Sequence, residues 1–226
     1  MGSAADTWRD HVERLRRLDA CAVSDALDSL ELAGGAPGLP RRSGHGVTAG
    51  RVVTLKVGVG TPPPGPPRHL GVTAIEAADN DHVIVVAQCS GVEAGCWGGL
   101  LTLAAKLAGV AGVVADGPLR DVDEAIAYDF PIFARSLTTR TARTRVTELG
   151  THVPVEISGV SVAEGDYVIA DGSGVVFVTP DRIEEVIDAA EFIAGREAAM
   201  AKALLSGTAP SAVMGGQYEN MLERKP

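Results

Sequence analysis

Residues 97–124 read WGGLLTLAAKLAGVAGVVADGPLRDVDE, and their order decides the fold class. The glycine pair Gly98-Gly99 opens a helix of leucine and alanine, and Gly109 suits its C-cap. The run VAGVVAD (110–116) is apolar almost throughout, as a strand covered on both faces must be. A turn, DGPLRD, follows it. Val122 to Tyr128 then has helical spacing, and FPIFAR (130–135) reads as another strand. Helices and strands alternating in this way argue for α/β architecture.

The flanking chain extends the pattern. Upstream, Trp8, Val12, Leu15 and Leu18 share one face of an N-terminal helix. A second helix is predicted from near Ser24, stopped by Gly34-Gly35. GAPGLPRRSGHG (35–46) reads as a long loop. RVVTLKVGVG (51–60) and HVIVVAQ (82–88) read as strands. Between them lie TPPPGPP (61–67), a stiff surface segment, and a short helix over 71–78. Downstream, VPVEISGV and DYVIADGSGVVFVTP are short β runs, with Asp171-Gly172 and Gly174 suited to a hairpin turn. One long amphipathic helix is predicted from Asp181, its cap, to about Leu205. Residues 206–226 form a weakly patterned tail. No repeat or boundary interrupts the chain, so a single domain over 1–226 is expected, with residues 1–20 as its N-terminal helix.

Composition narrows the function classes. Of 226 residues, 46% are hydrophobic but only 4% aromatic, so valine, alanine and leucine must build the core. A formal charge of -9 repels phosphate backbones, which argues against nucleic acid as a partner. Three cysteines, an odd number without framework spacing, suggest reduced thiols and a cytoplasmic protein. Cys89 and Cys96 are expected to be buried among apolar side chains. MGSAADTWRD has no apolar signal core, and no run approaches the roughly 18 apolar residues of a membrane span. No membrane partner is expected.

The chemistry concentrates in the turn after the central strand. In open α/β sheets ligands gather beyond the carboxyl ends of strands. The amides of Leu100 and Leu101 fall at a helix N-terminus, where free N–H groups favour an anion. Arg120 offers a bidentate fork to a carboxylate. Together they form a cradle for a small oxo-acid. Asp121 is a hard oxygen ligand suited to Mg²⁺ or Mn²⁺, ions that take few protein carboxylates and keep water. Arg–Asp pairs beside Asp-Gly turns are also ordinary surface architecture. GxGxxG, Walker A, HExxH and GxSxG patterns are absent, which argues against nucleotide-cofactor enzymes, methyltransferases, zincins and serine hydrolases.

Four segments occur in one order: AVSDALDSL (22–30), the 97–124 stretch, FPIFARSLTTRTAR (130–143), and VPVEISGVSVAEGDYVIADGSGVVFVTP (153–180). Over roughly residues 20 to 200 the chain resembles the RraA-like family. That family includes 4-hydroxy-4-methyl-2-oxoglutarate / 4-carboxy-4-hydroxy-2-oxoadipate aldolases and the regulator of ribonuclease activity A. The resemblance implies a three-layer β/β/α sandwich with N- and C-terminal helices, assembled as a homotrimer or hexamer. It implies that Arg120 holds a pyruvyl group, that Asp121 binds Mg²⁺ or Mn²⁺, and that the Gly98-Gly99-Leu100-Leu101 turn binds the substrate carboxylate. The implied activity is metal-dependent cleavage of a C–C bond next to a 2-oxo acid, by retro-aldol reaction or oxaloacetate-type decarboxylation, through a metal-stabilised enolate. The other implied role is a non-catalytic regulator.

This sequence departs from the family at one position. The enzymes carry an acid twenty-one residues before the arginine, and here that residue is Gly99. Glu93, in the preceding loop, is the candidate replacement, with His69 and His45 as others. The family enzymes also receive a carboxylate from the C-terminal helix of an adjacent protomer. Glu197 is the best match and Glu191 the second. Asp116-Gly117 is expected to form a turn that aims Arg120. Arg135, Arg140, Arg143 and Arg145 form a basic run, read either as a solvated face or as a rim for an anionic substrate.

Overall fold

The computed structural model describes residues 4–66, 68–88 and 90–215. In chain order the elements are α1 (Ala4–Leu15), α2 (Ala20–Ser29), β1 (Gly35–Ala36), β2 (Arg41–Ser43), β3 (Thr48–Gly58), α3 (Val72–Ala77), β4 (His82–Gln88), α4 (Gly99–Leu107), β5 (Gly112–Leu119), α5 (Val122–Ala127), β6 (Ile132–Leu137), β7 (Thr147–Thr151), β8 (Val155–Ile157), β9 (Val160–Val162), β10 (Tyr167–Ala170), β11 (Val175–Val178), α6 (Ile183–Leu205) and α7 (Pro210–Val213).

One mixed sheet organises them, in the order β1-β11-β10-β3-β4-β5-β6-β2, with β7 also paired to β3. Strands β3 to β6 run parallel and the flanking pairs are antiparallel. Alternation along β3 divides the core. Val53, Leu55 and Val57 face α3, α4 and α5, where they meet Trp97, Leu101 and Ala125. On the same side of the sheet, Ala49 packs with Tyr167, Ile169 and residues of α1, α2 and α6. Val52 faces the opposite way, onto Val155, Ile157 and Val162 of the β8–β9 hairpin. Helices, central sheet and hairpin are therefore three layers, as the resemblance implied. Covering both faces explains why β4 and the start of β5 are almost uninterruptedly apolar.

Tertiary contacts correct several local expectations. Helix α2 starts at Ala20 rather than near Ser24, because the Asp19 carboxylate accepts from Ala22 N at 2.8 Å. The 35–46 loop contains two short strands, β1 on β11 and β2 on β6, whose pairing partners are remote in sequence. Strand β7 was not anticipated, and it too pairs non-locally. Helix α6 begins after Arg182, which carries no side-chain cap bond, so Asp181 is not its cap. The 171–174 turn does close a hairpin, with Asp171 N donating to Gly174 O at 3.0 Å. Among the described residues no helix is long and apolar enough to cross a membrane.

The thiols differ sharply. Cys21 is exposed and Cys96 buried, while Cys89 lies outside the described residues. Burial pushes the Cys96 thiol up to about 12. A thiol held protonated and shielded does not alkylate. Brief treatment of the native protein with iodoacetamide at pH 8 is expected to modify Cys21 and spare Cys96, as read by peptide mass spectrometry. Equal labelling of the two would contradict this packing.

Candidate functional site

Strand β5 sets the geometry. The expected turn at Asp116-Gly117 is instead strand, continuing to Leu119 with a register shift between Ala115 and Pro118. It continues because it is paired on both sides. Pro118 and Leu119 align with Ser136 and Leu137 of β6, while Cys96 N donates to Pro118 O at 2.9 Å. Arg120 N then donates to Trp97 O at 3.0 Å. This clamp brings Arg120 and Asp121, at the carboxyl end of a parallel strand, against the first residues of α4. Asp116 does not aim Arg120. It pairs with Arg135 and accepts from Ser158 N at 2.7 Å, joining the sheet to the hairpin layer.

Glycines make the close approach possible. A Cβ on Gly95 would fall 2.5 Å from Arg120 Cγ and 2.6 Å from its Cδ, so the arginine stem occupies that volume. A Cβ on Gly98 would fall 3.0 Å from Asp121 Oδ2. Asp121 itself is left-handed, at φ 57 and ψ 41, a conformation aspartate tolerates better than most residues. It precedes α5 but makes no capping bond to it. Its Oδ2 instead accepts from Gly99 N, the first amide of α4, at 3.0 Å. The next two amides, of Leu100 and Leu101, have no acceptor within the helix. Asp121 Oδ1 lies 3.7 Å from Arg120 Nη2.

These groups wall a cavity of about 390 Å³. Gly98, Gly99, Leu100, Leu101, Arg120 and Asp121, all singled out by the sequence, line it together. Arg120 Nε is buried without a hydrogen-bond partner in the protein. An orphaned guanidinium donor beside free helix amides is a strong request for an anion.

The auxiliary candidates divide. Glu93 is not among the residues lining the cavity; its carboxylate accepts from Thr138 Oγ1 at 3.2 Å and lies 3.9 Å from Arg140 Nε. His69 does line the cavity, with Nδ1 2.9 Å from Leu70 O. His45 instead meets Asp129 at 2.8 Å. Glu191 is held by Arg14 at 2.9 and 2.7 Å, which lowers its pKa and ties α6 to α1. Glu197 is exposed on α6, away from this chain's own cavity. The basic run splits as well. Arg143 lines the cavity with Thr141 and Ala142, whereas Arg135 is committed to Asp116. Sequence reasoning missed the 141–142 wall. It also missed Glu124, whose carboxylate lies over Gly99. The signal for Glu124 was its spacing from Asp121, three residues on along a helix.

The fold and site define a class: a three-layer α/β protein with an arginine, a helix N-terminus and an acid gathered at one strand end. The chain belongs to the RraA-like family, whose Aldolase/RraA profile matches residues 20–177. It is similar to the protein DlpA of Legionella pneumophila, 26% identical over 90% of this chain, though it spans only 33% of DlpA. It is 29% identical to a Halalkalibacterium halodurans protein named "Putative 4-hydroxy-4-methyl-2-oxoglutarate aldolase", covering 80% of this chain and 82% of that one. Among solved structures, an uncharacterized protein from Pseudomonas syringae superposes with a TM-score of 0.81 at 29% identity, over 92% of this chain and 98% of its own. Streptomyces coelicolor RraAS2, described as an unusual member of the RNase ES inhibitor RraA family, gives 0.69 at 26%, over 80% and 90%.

Proposed function

We propose that the chain is a divalent-metal-dependent lyase that cleaves a C–C bond adjacent to a 2-oxo acid. The observation that carries this reading is the buried, partnerless Arg120 Nε beside the free Leu100 and Leu101 amides. A 2-oxo acid supplies a carboxylate and a keto oxygen to such a wall. The Leu100 and Leu101 amides would bind the carboxylate, and Arg120 would reach the keto oxygen. As the C3–C4 bond breaks, its electron pair becomes the C2=C3 double bond of an enolate, the keto π pair moves onto oxygen, and negative charge builds there. Arg120, fixed by Gly95 and Trp97, already faces the charge and needs no reorganisation. Loss of a carbonyl fragment is retro-aldol cleavage, and loss of carbon dioxide is decarboxylation; the same charge develops in both.

The donor set fits a hard ion. Asp121 presents a partly exposed carboxylate fixed through Gly99 N, and no group of three His, Cys, Asp or Glu surrounds it among the described residues. Such a site suits Mg²⁺ or Mn²⁺, which keep several waters, and not a closed zinc site. A divalent ion held by Asp121 would supply Lewis-acid stabilisation of the developing oxyanion. A homotrimer or hexamer, with Glu197 reaching a neighbouring cavity, is part of the same proposal. The second reading is a non-catalytic regulator. The absence of an acid at Gly99 and the likeness to RraAS2 favour it.

Pyruvate release from oxaloacetate and from 4-hydroxy-4-methyl-2-oxoglutarate separates the two. The lyase reading expects turnover above the metal-only background with Mg²⁺ and its loss with EDTA. No enzyme-dependent turnover of either substrate would favour the regulator.

A further inference from the structure

We infer that Glu93 is a positioning residue, the outer half of a clasp that holds residues 138–146 against the cavity and behind Arg120. Its consequence for turnover rests on the lyase reading above; the clasp itself does not. Residues 138–146 join β6 to β7 and carry one wall of the site, Thr141, Ala142 and Arg143. Backbone bonds tie the start of this segment to the residues that set Arg120. Thr138 N donates at 3.0 Å to the carbonyl oxygen of Leu119, the residue before Arg120. Gly95 N donates to Arg140 O at 3.0 Å, and Gly95 is the residue whose missing side chain admits the Arg120 stem. The same Arg140 oxygen lies 3.4 Å from where a Cβ on Gly95 would fall. A shift of the segment therefore moves the cavity wall and loosens the packing around the arginine stem together.

Val146 anchors the far end of the segment in the core, but the turn before it is strained. Thr144 is left-handed at φ 65, a costly conformation for a β-branched residue. It sits in a turn whose Arg145 N and Val146 N both donate to Ala142 O, at 2.9 and 3.0 Å. A turn built on strain needs contacts outside itself, and Glu93 supplies them from the loop after β4. Its Oε1 accepts from Thr138 Oγ1 at 3.2 Å, and that hydroxyl accepts from Arg140 N at 3.1 Å. Its Oε2 lies 3.9 Å from Arg140 Nε. Both members of this ion pair are more than half exposed, where such a pair contributes little. The bond to Thr138 is the stronger half of the clasp, and it needs an acceptor, not a charge. Glu93 therefore acts on the site through Thr138 and Arg140, and not as the replacement acid that its place in the sequence suggested.

The test is hydrogen exchange read by mass spectrometry on the full chain without ligand, followed by steady-state kinetics. Glu93→Ala is expected to speed exchange over 138–146 and at Gly95 by about three- to tenfold, the shift in an opening equilibrium that one net hydrogen bond gives, with the melting temperature unchanged. Thr138→Val removes the same bond from the other side and should match it, and the double variant should add nothing. Glu93→Gln keeps the acceptor and loses the charge, so it is expected to restore protection to near the wild-type level. A partly open segment lowers the fraction of protein competent to bind, so KM for the 2-oxo acid should rise about two- to tenfold in Glu93→Ala with kcat nearly kept. Glu93→Gln should restore KM as well. Unchanged exchange in Glu93→Ala overturns the clasp. Faster exchange with unaltered KM overturns the positioning role. A kcat lost equally in the Gln and Ala variants would make Glu93 the catalytic acid instead. If wild type turns over neither substrate, the lyase reading falls and exchange alone decides the clasp.

Discussion

Arg120→Ala is expected to lower kcat/KM on the 2-oxo acid by about 10²–10³-fold, the scale seen when a preorganised oxyanion donor is removed. The expectation follows from how the side chain is held. Its stem lies against Gly95, its backbone N–H is clamped to Trp97 O, and its Nε is buried without a partner. Alanine removes the donor that meets the developing charge, so kcat must fall, not merely KM rise. Arg120→Lys should recover little. A lysine offers one compact charge where the site presents a planar fork. Steady-state kinetics at saturating Mg²⁺, with circular dichroism to confirm folding, measures both variants. A kcat/KM within threefold of wild type for Arg120→Ala would place the reacting oxygen elsewhere in the cavity.

Much of this site was legible in the sequence, and the reason is local. Helix α4, strand β5 and the Arg120-Asp121 pair lie within one continuous stretch, and their roles follow from strand–helix order and helix-end chemistry. What escaped was set by partners distant in the chain. Strands β1, β2 and β7 are two to five residues long and exist only through pairing with β11, β6 and β3. The apparent Asp116-Gly117 turn is strand because residues 96–97 and β6 claim its backbone. A Cβ on Gly117 would fall 2.7 Å from Gln88 Cβ and 2.8 Å from Cys96 Sγ, so this glycine serves close packing between segments. Glu93 was attractive by proximity in sequence, but the 138–140 segment drew it away. Glu124 needed a three-dimensional observation, the missing space over Gly99, because an acid on a short helix reads as a solvated face.

Gly34 carries the same lesson into stability. Sequence reading gave Gly34-Gly35 the task of stopping a helix, yet α2 ends at Ser29 with Leu30 as its C-cap. The two glycines differ in surroundings. A Cβ on Gly34 would overlap the carbonyl oxygen of Phe177 and would fall 2.7 Å from Leu27 Cδ1. A Cβ on Gly35 meets nothing within 4 Å. Gly34 O also accepts from Phe177 N at 2.9 Å, so the chain is pinned there between α2 and β11. A backbone carbonyl inside a sheet cannot swing aside as a side-chain tip can. Gly34→Ala is therefore expected to cost about 3 kcal/mol, the upper range of overpacking. For a chain of this length that is a fall of about 6–12 °C in Tm. Gly35→Ala should stay within about 0.5 kcal/mol of wild type. Differential scanning calorimetry on both variants decides between steric and conformational explanations. Equal losses would mean that glycine's backbone freedom, not the Phe177 carbonyl, sets the requirement. The pinch lies at the β1–β11 edge of the sheet, several strands from β5 and Arg120, so below its Tm Gly34→Ala should keep wild-type turnover. That separates this glycine from Gly95, where the same added methyl would displace the arginine stem.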